Sequence, residues 1–236
     1  MTDPNSRKKI LVSAVINTLI ALMVLGAFLY MFLRRSGGML SSAGLSALKY
    51  FTTLSNIYDG IISAVLAVQL FGAASGRREG PSRAVFLIKH TAVAAVSVTF
   101  LVVMLFLGPL YSYPAMFRGA NLWLHLIVPV LSIIEFVVLE DYWYISFKQS
   151  FLCMLPVFVY GIFYLINILR NGTGRWPDPA DFYGFTRWGL PAGMVIFTVI
   201  MIIGWAAGLA LRARIWYNQR RKKHGIPGGG EDGKAQ

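Results

Sequence analysis

Apolar residues dominate six stretches of this chain, at about 10–33, 48–72, 84–108, 121–139, 145–169 and 188–211. Helices lying on a water-soluble core rarely run this long with so few charged residues. Each stretch is near the ~20 residues that a helix needs to cross a bilayer. Polar, glycine-rich or proline-containing breaks separate them: Arg34-Arg35-Ser36-Gly37-Gly38, Gly76-Arg77-Arg78-Glu79-Gly80-Pro81, Gly108-Pro109, Glu140-Asp141 and Asn171-Gly172-Thr173-Gly174. Backbone groups in hydrocarbon must bond within the protein, and uninterrupted runs of this length do so as helices. The expected fold class is all-α: a polytopic integral membrane bundle of six transmembrane helices. It forms a single domain over residues 1–223, followed by a disordered tail at 224–236.

Six crossings return the chain to its starting side. Arg7, Lys8, Lys9, Arg77, Arg78, Arg83 and the basic stretch from Arg212 to Lys223 fall on the side of the termini. The positive-inside rule makes that side cytoplasmic. Arg34, Arg35 and Lys49 fall on the other side and oppose this orientation. The run after Arg7-Lys8-Lys9 is too long for a signal-peptide core and reads as a retained first span. The expected location is a multi-pass position in a bacterial plasma membrane, with the basic C-terminal segment against anionic lipid headgroups.

Composition narrows the function classes. Charged residues make up 14% of the chain, against about 25% in a soluble protein. The net charge of +12 sits in the breaks between apolar runs rather than in a basic domain interleaved with aromatics, so no nucleic-acid partner is expected. The single cysteine, Cys153, permits no intramolecular disulfide and reads as a packing residue. No metal or other cofactor is expected. No internal repeat stands out, which disfavours a transporter built on inverted repeats.

The informative positions are polar residues inside apolar runs, because such groups are costly in lipid and face a protein interior or a wet cavity. Thr52, Asn56 and Asp59 follow i, i+4, i+7 spacing and share one face of the second span. His125, Pro129 and Ser132 share a face of the fourth, which Asn121 opens and can cap. At ~1.5 Å per residue, Thr52, Asn56 and His125 all lie within ~10 Å of the same boundary, the outer one in the orientation above. Structural roles compete with functional ones: Thr52 or Thr53 as a cap, Asn56 as interhelical glue, Asp59 as half of a buried pair or a proton site. Glu135 lies too far along its helix to orient His125, and Lys89 reads as snorkelling to the interface. Asp178 and Asp181, in the stretch from Trp176 to Tyr183, could reach the site from a lid.

Lys49-Tyr50-Phe51-Thr52-Thr53-Leu54-Ser55-Asn56, His125-Leu126-Ile127-Val128-Pro129 followed by Glu135, and Trp176-Pro177-Asp178-Pro179 resemble elements of the androgen-induced membrane protein family and its bacterial relatives. The resemblance spans most of the chain through short motifs. It implies a six-helix membrane hydrolase of fatty-acid esters of hydroxy fatty acids, with Thr52 as nucleophile and His125 as base. The adjacent Thr53 remains a rival nucleophile, and Asn56 a candidate to orient the histidine or donate to the oxyanion. The substrate implied is a membrane lipid or amphiphilic ester. Two other classes stay open: an ion-coupled transporter in which Asp59 and His125 titrate, and a non-catalytic lipid-binding membrane protein.

Overall fold

The computed structural model of the chain describes residues 4–33, 44–174 and 180–223, and everything below concerns these. The described residues are helical, without a strand. The six helices are α1 (Pro4–Leu33), α2 (Phe51–Ala74), α3 (Arg83–Tyr111), α4 (Ala120–Leu139), α5 (Phe147–Asn171) and α6 (Leu190–Lys223). All six are long and apolar enough to cross a membrane.

Helix α3 is the axis of the bundle. Every residue from Thr91 to Thr99 is buried, and half of its most apolar window is covered, against 17% for α6. Large side chains such as Leu22, Val68 and Phe163 point outward instead, as a lipid-facing surface requires. Apolar burial drives little association between helices already in lipid, so close packing and interhelical polar bonds hold the bundle. Gly60 lets α1 approach α2, because a Cβ there would stand 2.8 Å from Val24 Cγ1. Gly208 does the same for α6, where a Cβ would stand 2.4 Å from Cys153 Sγ and 2.8 Å from Cys153 Cβ. Replacing Gly208 by alanine forces these helices apart at a buried crossing. The expected cost is about 1–3 kcal/mol, measured by detergent-titrated unfolding, with partial recovery in Gly208→Ala/Cys153→Gly.

Contacts define the two ends. At one, here the proximal end, Lys9 pairs with Asp141 at 3.4 Å, Trp143 Nε1 donates to the Pro81 carbonyl at 2.8 Å, and Arg212 Nε donates to the Ile145 carbonyl at 2.8 Å. At the distal end the Tyr160 hydroxyl donates to the Lys49 carbonyl at 2.7 Å, and the Phe51 amide donates to the Tyr183 hydroxyl at 3.1 Å.

The spans fall close to the positions read from hydropathy, with two differences. Gly108-Pro109 does not end α3. The helix widens into a π turn at Val103–Leu107 and runs on to Tyr111. The sixth helix does not end at 211 but runs on through the basic stretch from Arg212 to Lys223. Both π turns have a cause in the sequence. Pro109 and Pro129 lack the N–H that the carbonyl four residues earlier would accept, and their rings crowd it. In α4 that carbonyl belongs to His125, and the π turn spans Trp123–Ile127. Residues 224–236, expected to be disordered, lie outside the described residues.

Candidate functional site

The polar stripe of α2 turns into the bundle, as its spacing predicts. Asn56 and Asp59 are fully buried and Thr53 is buried, while Thr52 in the first turn is half-buried. Neither threonine caps the helix. Tyr50 holds the cap position without a side-chain bond, and the exposed start is latched by the Tyr183 hydroxyl on the Phe51 amide. Burial pushes the Tyr183 phenol up to about 12, which keeps that latch neutral.

Asn56 ties this turn to α4. Its Nδ2 donates to the Thr52 carbonyl at 2.7 Å and to the Leu124 carbonyl at 2.9 Å, while its Oδ1 has no partner among the described residues. Leu124 immediately precedes His125 within the π turn. The Thr52 carbonyl and the carbonyl of the residue before His125 are therefore tied to one amide. The single turn Tyr113–Met116 then fixes the histidine. His125 is 7% exposed, and its Nδ1 stands 2.9 Å from the Met116 carbonyl. A carbonyl can only accept, so Nδ1 carries the hydrogen, and in the neutral ring Nε2 keeps its lone pair. The histidine makes no hydrogen bond to either threonine among the described residues.

Asn121, expected to cap α4, lies one residue inside it, and Gly119 takes the cap position. Asp181 does not reach the threonine. It closes its own turn, accepting from the amides of Phe185 at 2.9 Å and Thr186 at 2.8 Å and from the hydroxyls of Tyr164 and Thr186. Burial would raise its pKa, but these four donors outweigh burial and hold the carboxyl below the usual aspartate range. A depressed pKa stabilises the turn above the ordinary aspartate range, and that stability is lost as pH falls through the depressed value. Exchange protection of the Phe185 and Thr186 amides should thus persist from neutral into mildly acidic solution and fail only in stronger acid, and Asp181→Asn should lower it throughout. Asp178 lies outside the described residues.

Lys89 does not snorkel. It is fully buried, with Nζ 2.8 Å from Asp59 Oδ1 and 2.6 Å from Ser63 Oγ, and the Ser132 hydroxyl donates to the other Asp59 oxygen. The stripe therefore runs Thr52, Asn56, Asp59, Ser63 and meets α4 at Leu124 and Ser132 and α3 at Lys89. Glu135 turns away from His125, toward Ser13 and Asn17 of α1. A pair that sequence reasoning missed joins α3, α5 and α6: His90 Nε2 donates to the Gly208 carbonyl at 2.9 Å, and Cys153 Sγ stands 3.4 Å from His90 Nδ1. Both residues are fully buried, so Cys153 packs as expected but with a histidine partner.

A groove of about 670 Å³ opens between α2, α3 and α5. Its wall is mostly apolar, including Leu54, Leu87, Leu152 and Val159, and Lys49 and Phe182 stand at its distal mouth. Phe51 and Ser55 line it, but Thr52 and His125 do not. Successive helix residues turn by about 100°, so Thr52 faces the bundle beside the groove rather than into it. A second cavity of about 500 Å³ lies between α1 and the start of α4, lined by Tyr30, Gly119 and Trp123 among others. No grouping of three or more His, Cys, Asp or Glu side chains suited to a metal ion occurs among the described residues. Compared with known proteins, the chain matches no family model, no curated protein and no solved structure.

Proposed function

We propose that this integral membrane protein hydrolyses amphiphilic lipid esters, with Thr52 as nucleophile and His125 as general base. One observation carries the reading: the Asn56 amide bridges the Thr52 and Leu124 carbonyls, which holds the threonine turn and the histidine turn at one level. Three further features support it. Nδ1 of His125 is committed to the Met116 carbonyl, so Nε2 is the atom left to accept a proton. The groove beside Phe51 suits an acyl chain arriving sideways from lipid. The motifs around Thr52 and His125 resemble the androgen-induced membrane protein family.

In this scheme the Thr52 oxygen attacks the ester carbonyl as its proton passes to His125 Nε2. The carbon–oxygen bond to the alcohol then breaks, and His125 returns the proton to the leaving oxygen. Water, deprotonated by the same nitrogen, then attacks the acyl-threonine; its carbon–oxygen bond breaks, the fatty acid leaves, and His125 returns the proton to the Thr52 oxygen. In the orientation with cytoplasmic termini, the distal end and this site face the outer leaflet, and the basic end of α6 lies along the inner headgroups.

The test is turnover of a long-chain acyl ester by the full chain in lipid nanodiscs. Hydrolysis above an empty-disc control is expected, with loss in Thr52→Ala and in His125→Ala. Equal activity in all three proteins would remove the reading, and loss in Thr53→Ala alone would move the nucleophile by one residue.

A further inference from the structure

A second polar centre, between α1 and the proximal end of α4, plays no part in that chemistry. Ser13 and Asn17 of α1 face Glu135 in α4 and Glu140, which terminates α4. All four are at most 1% exposed. Ser13 Oγ lies 2.7 Å from Glu135 Oε1 and 2.6 Å from Glu140 Oε1, and Asn17 Nδ2 donates to Glu135 Oε1 at 2.7 Å.

A serine hydroxyl has one hydrogen, and a carboxylate has none. Ser13 can donate to one carboxylate, but its contact with the second needs a hydrogen supplied by that carboxyl. The pair therefore holds at least one proton. Asn17 already donates to Glu135, so the assignment that satisfies every contact has Ser13 donating to Glu135 and a protonated Glu140 donating to Ser13. Like charges this close in low dielectric favour the same result. Burial, then the Glu135 carboxyl, push Glu140 well above the ordinary glutamate range. The second oxygens of Glu135 and Glu140 and the Oδ1 of Asn17 are buried without hydrogen-bond partners among the described residues, so the centre keeps spare acceptors.

We propose that Ser13, Glu135 and Glu140 form a proton-loading site that takes up and releases one proton at the proximal end of the bundle. The ligand is a proton rather than a metal cation, because the oxygens already stand at hydrogen-bond separation around Ser13. The charged groups facing the site are Lys89 from α3, which offsets the negative charge on Glu135, and Asp59 from α2, which pairs with Lys89. Asp141 and Tyr142 follow Glu140 in the chain, and Lys9 of α1 pairs with Asp141. That ion pair, beside Glu140 in the chain, reaches the surface: the Lys9 side chain is 36% exposed and the Asp141 side chain 10%.

The native state prefers the neutral carboxyl, so its stabilisation is present below the ordinary glutamate range and fades as pH rises through the elevated value.

The experiment is infrared titration of the full chain in nanodiscs, reading the C=O stretch of a protonated carboxylic acid. At neutral pH the wild type should show this band. The band should fall reversibly with alkali, shift in D2O, and vanish in Glu140→Gln. Asp59→Asn should leave it in place, and Ser13→Ala, which keeps both carboxyls, should move its midpoint. Absence of the band from the wild type at neutral pH overturns the proposal without recourse to any variant. So does a band lost in Asp59→Asn but kept in both Glu135→Gln and Glu140→Gln, or one that follows sodium concentration instead of pH. These outcomes are independent of whether the chain hydrolyses esters.

Discussion

Lys89→Met is expected to destabilise the bundle by about 3–5 kcal/mol, read as a shift in detergent-titrated unfolding. The size comes from what remains rather than from what is removed. Asp59 is fully buried, and its carboxylate is bonded to Lys89 on one oxygen and to Ser132 on the other. Without the ammonium it is an uncompensated charge inside the membrane. The double variant Asp59→Leu/Lys89→Met removes both charges and should recover most of the loss. The Ser63 and Ser132 hydroxyls left behind sit within helices and can bond back to the carbonyl four residues earlier. If Lys89→Met alone is silent, the ammonium is not holding α3 against α2 and α4.

The second large effect concerns turnover. Removal of a nucleophile that forms a covalent intermediate leaves only positioning, and loss of a general base costs about 10²–10⁴-fold. Thr52→Ala and His125→Ala should therefore both fall by at least about 100-fold in the rate of ester hydrolysis, and the double variant should be no worse than the weaker single, because the two groups act as a unit. Asn56→Leu separates placement from chemistry. It keeps both reacting groups but removes the amide that spans the Thr52 and Leu124 carbonyls, so a smaller loss, mainly in kcat, is expected. A protein that is folded and inactive in every form, wild type included, would leave the threonine and histidine as packing groups.

The number and order of the helices were legible because a membrane imposes one requirement along ~20 residues at a time, and hydropathy reports it directly. The inward face of α2 was legible too: Thr52, Asn56 and Asp59 repeat at helical spacing, and the stripe continues to Ser63. Partner choice was not. Lys89 shows in the sequence as one cation in an apolar run, and that pattern is shared by lysines that reach headgroups and lysines that find a carboxylate. Only the packing of α3 against α2 distinguishes them. Proton sharing between Glu135 and Glu140 depends on Ser13, more than 120 residues away in the chain. The wide turn at His125 did have a signal, Pro129 four residues later, which reads more easily as a kink than as a rotation of the histidine.

The Tyr183 hydroxyl on the Phe51 amide has a consequence for traffic at the distal mouth. The amide it occupies belongs to the residue before Thr52, and an ester oxygen arriving there would want the same hydrogen. Guest and phenol thus compete for one donor, and whichever is absent leaves the other in place. With the Tyr183 phenol withdrawn, the Phe51 amide beside the groove would have to find another acceptor.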